Sequence, residues 1–122
     1  MIKVFLVLAI VLALIFIFKK SAFGSEDKLL GKAAPEFKLK NSYGKLVSLN
    51  EFKGEWLLVF FYPKDDTPGC TKEACSLRDN FTEIKKLNAN IVGISIDSSD
   101  SHKEFKEKYN LPFMLLSDPD GE

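Results

Sequence analysis

Seven apolar residues in a row, Trp56-Leu57-Leu58-Val59-Phe60-Phe61-Tyr62, stop at Pro63. A half-exposed strand alternates apolar with polar side chains, and an amphipathic helix repeats them every three or four. A run with neither rhythm predicts a strand buried on both faces, as in a parallel sheet. Asn90-Ile91-Val92-Gly93-Ile94-Ser95-Ile96 is a second such run. Between them Ala74, Leu77, Phe81, Ile84 and Leu87 recur at steps of three and four, which predicts one helix with an apolar face over about five turns. Asp97-Ser98-Ser99-Asp100 is rich in capping residues and introduces a helix bearing Phe105 and Tyr109. Asn110-Leu111-Pro112 breaks that helix, Phe113 to Leu116 can form a short strand, and Asp118-Pro119-Asp120-Gly121 is a turn. The alternation of strand and helix gives an α/β fold with right-handed crossovers and a sheet covered on both faces.

Upstream, Phe37 and Leu39 alternate with Lys38 and Lys40, Asn41-Ser42-Tyr43-Gly44 has turn chemistry, and Leu46-Val47-Ser48-Leu49 resumes an extended pattern. These features predict an N-terminal β-hairpin, followed by a loop or single helical turn over Asn50 to Gly54. The domain is expected over residues 35–122, after a polar linker at 25–34. Residues 1–24 hold an unbroken apolar run, Val4 to Phe18, with Lys3 before it and Lys19-Lys20 after. At about 1.5 Å per residue the run covers roughly 22 Å, between a signal peptide and a membrane anchor. The two lysines before any cleavage site favour an anchor, with an extracytoplasmic domain as the expectation. Secretion or periplasmic release after cleavage is the alternative.

Three of the 17 basic residues, Lys3, Lys19 and Lys20, belong to the leader, leaving 14 against 17 acidic residues in the remainder. That mildly acidic body excludes nucleic acid as the expected partner. Two cysteines and a single histidine, His102, do not make a structural zinc site, and no metal or cofactor is expected. His102, at a helix start, is expected to be an exposed polar residue.

Both cysteines lie in Pro63 to Arg78, PKDDTPGCTKEACSLR, where the first buried strand gives way to a helix. Pro63 and Pro68 fix the backbone, and Gly69 suits a turn with unusual dihedrals and close approach. Cys70 then sits in the first helical turn, where free N–H groups and the helix dipole favour a thiolate. Thr67, three residues earlier, can reach back over the turn towards the sulfur or a bound oxygen atom. Asp65 and Asp66 are expected to face solvent as turn formers. Cys75 lies five positions beyond Cys70, about 140° around the helix and roughly 7.5 Å along it, so the two cannot bond unless the first turns unwind. A static disulfide and two buried inert thiols are the alternatives on the residues alone.

Pro63, Thr67 and Cys70 fit the P-x-x-x-T-x-x-C signature of the peroxiredoxins, and YPKDDTPGCTKEAC with Leu77-Arg78-Asp79 resembles the peroxiredoxin Q, or bacterioferritin comigratory protein, subfamily. The resemblance implies a monomeric thioredoxin-like fold and a thiol peroxidase acting on hydrogen peroxide and organic hydroperoxides. In that scheme Cys70 is the peroxidatic cysteine, Cys75 the resolving cysteine, and thioredoxin or a similar dithiol protein the reductant. The family's active-site arginine falls downstream of Glu122, as do its last strands and C-terminal helix, so the expectation is an incomplete domain. Arg78 does not stand in for that arginine. A thioredoxin-like disulfide oxidoreductase, whose cysteines stand two residues apart, and a catalytically inactive module of the same fold are the competing readings.

Overall fold

A computed structural model of the protein describes residues 29–122. The apolar leader, with its anchor or signal reading, lies outside the described residues. Among those described, no helix is long and apolar enough to cross a membrane. Residues 29–35 contain one turn, in which the Lys32 N–H donates to the Leu29 carbonyl at 3.1 Å. Glu36–Glu122 is a compact unit of its own.

That unit is built on a five-stranded sheet in the order β2-β1-β5-β4-β3. The strands are β1 (Lys38–Asn41), β2 (Leu46–Ser48), β3 (Trp56–Phe61), β4 (Ala89–Ser95) and β5 (Met114–Ser117). The expected hairpin forms: β1 and β2 pair antiparallel with Leu39 opposite Val47, and the Asn41 side chain accepts from the N–H groups of Tyr43 and Lys45 to close the turn. The two long apolar runs pair in parallel, Leu58 opposite Ile91 and Phe60 opposite Gly93, and β5 runs parallel to β4. A short 3-10 turn, Leu49–Phe52, leads into β3.

Three α-helices connect these strands: α1 (Pro68–Asp79), α2 (Phe81–Lys86) and α3 (Ser99–Tyr109). The single five-turn helix expected after Cys70 is therefore two helices. The break falls at Asn80, whose backbone (φ −100°, ψ 5°) leaves the helical range and whose side-chain amide donates to the Ser76 carbonyl at 2.8 Å beside its own N–H at 3.2 Å. Leu77, Phe81 and Ile84 still pack against the core, but Leu87 falls beyond α2 and is 73% exposed.

The helices cover one face of the sheet. Phe60, Ile91 and Leu115 point into that layer and meet Cys70 and Ala74 of α1, Phe105 of α3, and Leu111 and Phe113. The opposite face gathers Val47, Val92, Ile94 and Leu116 with half-buried Phe37, Phe52, Leu57 and Val59, and among the described residues no α-helix joins them, so the helical cover expected on both faces is seen on one. Gly93 is required where Phe60 and Leu115 converge: a Cβ there would lie 2.7 Å from both side chains. β4 is buried as its pattern predicts. β3 is not: among the described residues it has β4 as its one neighbour, and Trp56 (76%) and Phe61 (74%) are exposed. An unalternated apolar run specifies side chains that can pack on both faces, but it does not specify how many strands flank it.

Candidate active site

The ladder of β3 runs one residue past its end, with the Tyr62 N–H donating to the Ile94 carbonyl at 3.2 Å, and stops at Pro63, which has no N–H. Five residues later α1 begins at Pro68, with Thr67 as its extended N-cap. The first helical bond runs from the Thr71 N–H to the Thr67 carbonyl at 2.8 Å, so the N–H groups of Gly69 and Cys70 have no intrahelical acceptor. The Thr67 hydroxyl does not cap them. It donates to the Lys64 carbonyl at 3.0 Å, which leaves its lone pairs available as acceptors. Cys70 lies in this first turn, buried among the aromatic and aliphatic side chains beneath the helices. The special backbone conformation expected at Gly69 occurs instead at Asp66, with φ 57°. Gly69 has an ordinary helical φ and open space where a side chain would be.

Two expectations about polar residues are corrected at the same place. His102 is completely buried, and Asp65 is 8% exposed. His102 Nδ1 lies 2.7 Å from Asp65 Oδ2, and its Nε2 lies 3.0 Å from the Leu116 carbonyl oxygen. Each ring nitrogen thus lies within hydrogen-bond distance of an oxygen acceptor, and the Tyr62 hydroxyl oxygen also lies 3.3 Å from Nδ1. Tyr62 donates to Asp65 Oδ1 at 2.5 Å, Ser101 donates to Oδ2 at 2.8 Å, and the Asp65 N–H donates to Asp97 at 2.8 Å. Burial alone would raise the Asp65 carboxyl, but hydrogen bonds from His102, Tyr62 and Ser101 outweigh it and hold the group below its ordinary 3.8. The Tyr62 phenol is pushed far up by burial and by the adjacent Asp65. One sequence signal for His102 existed: 102, 105 and 109 share the apolar face of α3.

The Asp65 carboxylate and the His102 imidazole, with Asp97, form a set of potential metal-ligand atoms within 4.8 Å of one another. Their polar atoms are already engaged. Asp97 Oδ2 accepts from Ser95 as well as from the Asp65 N–H, and Asp65 and His102 satisfy each other. The donor set fits a hydrogen-bonded anchor for the loop before Cys70.

Asp66 faces solvent, as expected, but is not free: Lys108 Nζ and the Tyr109 hydroxyl each donate to it at 2.6 Å. These contacts hold its carboxyl low. Cys75 is half-buried on α1, and both cysteines are free thiols within one continuous helix. Arg78, three residues after Cys75, donates to the Tyr109 carbonyl at 2.7 Å and to Asp79 at 3.0 Å. Pro63 lines an apolar cavity of about 420 Å³ at the carboxyl ends of β3 and β4, with Phe61, Tyr62, Ile94 and Ile96, and Cys70 is not part of its wall. The structure thus gathers Thr67 and Cys70 at one helix start. Cys75 stands on the same helix, apart from Cys70.

Comparison with known proteins agrees with this arrangement. The chain is 57% identical over 88 residues to the chloroplastic peroxiredoxin Q of Oryza sativa subsp. japonica, a match covering 72% of this chain and 41% of that protein. It is 52% identical over 92 residues to the putative peroxiredoxin bcp of Coxiella burnetii, covering 75% and 61%. Among solved structures, the bacterioferritin comigratory protein of Xanthomonas campestris, studied for its alkyl peroxide reduction activity, superposes with a TM-score of 0.67 at 40% identity, covering 69% of this chain and 54% of that one. The chain spans about half the length of these relatives. The AhpC/TSA family model matches residues 30–122, and with a thioredoxin-like sheet carrying Cys70 at the start of α1, the chain belongs to that family and is similar to its peroxiredoxin Q and bacterioferritin comigratory members.

Proposed function

We propose that the protein, whole, is a thiol peroxidase in which Cys70 is oxidised by a hydroperoxide and Cys75 resolves the product. The observation that carries this reading is the position of Cys70 in the first turn of α1, beneath N–H groups with no intrahelical acceptor. Those groups stabilise negative charge on the sulfur and on an oxygen bound beside it. The Thr67 hydroxyl, its proton committed to Lys64, accepts a hydrogen bond from the hydroperoxide. Pro63 ends the β3 ladder and sets the course of the loop that delivers both residues.

The Cys70 thiolate attacks the terminal peroxide oxygen. The S–O bond forms as the O–O bond breaks, and the leaving alkoxide or hydroxide takes a proton to become alcohol or water. Cys70 is then a sulfenic acid. The Cys75 thiolate attacks its sulfur, forming the disulfide, and hydroxide leaves with a proton as water. Because both thiols stand in one intact helix, this second step requires unwinding. A thioredoxin-type dithiol then reduces the disulfide, becoming a disulfide itself. Hydrogen peroxide and alkyl hydroperoxides are the substrate class, the latter supported by the activity studied in the Xanthomonas relative. The apolar run Val4 to Phe18, flanked by lysines, supports attachment of the chain to a membrane.

Peroxide consumption coupled to thioredoxin and its reductase tests the reading. Wild type should turn over, Cys70→Ser should be inactive, and Cys75→Ser should consume one equivalent and stall. A Cys70→Ser variant as active as wild type would sink it.

A further inference from the structure

The last turn of α3 holds the cysteine-bearing segment at both ends. Before α1, the Tyr109 hydroxyl and Lys108 Nζ each donate to Asp66 at 2.6 Å. Beyond Cys75, Arg78 Nη1 donates to the Tyr109 carbonyl at 2.7 Å. One residue therefore contacts both flanks of the stretch between Asp66 and Arg78, which contains Cys70 and Cys75. Tyr109 is itself fixed by an edge contact with the buried Phe105, with ring centroids 5.5 Å apart at 79°.

The attachments differ in how readily they open. Asp65 is buried and bonded to His102, Tyr62 and Ser101, so the chain before Asp66 is anchored. Asp66 and Lys108 are 43% and 58% exposed, so their contact can be replaced by water without opening the core. Asp66 also has the left-handed backbone, φ 57°, that directs the chain into the Thr67 cap. Rotation of the backbone from Asp66 onward is what the first turn of α1 needs in order to unwind.

Resting on the reading of Cys75 as the resolving thiol, we propose that Tyr109 is a positioning residue that latches the cysteine segment at Asp66 and Arg78 and sets the rate at which Cys75 reaches Cys70. Release of the Asp66 contact frees the first turns of α1, while the Arg78 contact keeps the far end of the helix in place.

The test separates the two chemical steps in the full 122-residue chain. Sulfenic acid formation at Cys70 and formation of the Cys70–Cys75 disulfide are each followed by rapid quenching and mass spectrometry after one equivalent of hydrogen peroxide. Tyr109→Phe removes the hydroxyl and keeps the ring. Asp66→Asn keeps a residue that tolerates the left-handed conformation. Each should speed disulfide formation by about fivefold, the effect of one hydrogen bond, and leave sulfenic acid formation within about twofold of wild type. Lys86→Gln, which removes the exposed Lys86–Glu83 contact on α2, should change neither step. Lys108→Gln, at an exposed position, repeats the test if Tyr109→Phe does not fold. If wild type forms the disulfide and these variants form it no faster, the latch is refuted and the peroxidase reading stands. If wild type oxidises Cys70 but forms no disulfide, the role of Cys75 falls and the latch with it.

Discussion

Replacing His102 by alanine should cost about 4 kcal/mol of folding free energy, the loss expected when a buried carboxylate, that of Asp65, loses a hydrogen-bonded partner. His102 is fully buried and makes two polar contacts, with Asp65 Oδ2 at 2.7 Å and the Leu116 carbonyl at 3.0 Å. Without the ring, the Asp65 carboxylate stays buried with Tyr62 and Ser101 as its side-chain donors, and the Leu116 carbonyl loses a partner. The two surviving donors keep the cost from the top of the range for a lone buried charge. An exposed histidine at a helix start would cost no more than about 0.5 kcal/mol. Urea unfolding, followed by circular dichroism and by Trp56 fluorescence, measures the difference. Combining His102→Ala with Asp65→Ala supplies the sharper test: the double variant should be less destabilised than the two single losses together by about 2 kcal/mol, because neither buried partner is left without the other. A single-variant cost below about 1 kcal/mol, with additive losses, would refute the buried pair.

Asp65→Asn should be destabilising at pH 7. The native carboxyl titrates below 3.8, so its contribution is fully present above that value and is lost as pH falls through the native pKa. The gap between wild type and variant in urea midpoint should therefore narrow below about pH 4, and a gap constant down to pH 2 would contradict the assignment. Gly93→Ala should cost about 1–3 kcal/mol in the same assay, because its Cβ would press on Phe60 and Leu115 in the packed layer above the sheet. A neutral effect would mean that those side chains can move aside.

The fold class was legible because apolar periodicity reports local geometry. The hairpin, the buried β4, the helix face of Ala74, Leu77, Phe81 and Ile84, and the position of Cys70 at a strand-to-helix junction all follow from spacing. What escaped the sequence depends on partners distant in the chain. Asp65 is separated from His102 by 37 positions, and its burial is tolerable only because that imidazole, Tyr62 and Ser101 converge on it. A rule that places aspartate after Pro-Lys in an exposed turn fits Asp66 and fails for its neighbour. His102 carried a readable sign, its register with Phe105 and Tyr109, which the polar run before it masked. The break at Asn80 is a local change of backbone, φ −100° and ψ 5°, within an apolar periodicity that runs on through Phe81 and Ile84. The exposure of Trp56 and Phe61 depends on which strands flank β3, which no local pattern encodes.

The central claim is that Cys70 is the oxidised nucleophile and that its location at the start of α1 makes it so. The most direct measurement is the site and rate of sulfenic acid formation in Cys75→Ser, where the product cannot resolve, using a trapping reagent and peptide mass spectrometry after one equivalent of hydrogen peroxide. One added oxygen should appear on Cys70, faster than on a free cysteine, with a marked slowing in Thr67→Val, which lacks the accepting hydroxyl. Trapping no faster than that of a free cysteine, or unchanged in Thr67→Val, would contradict it.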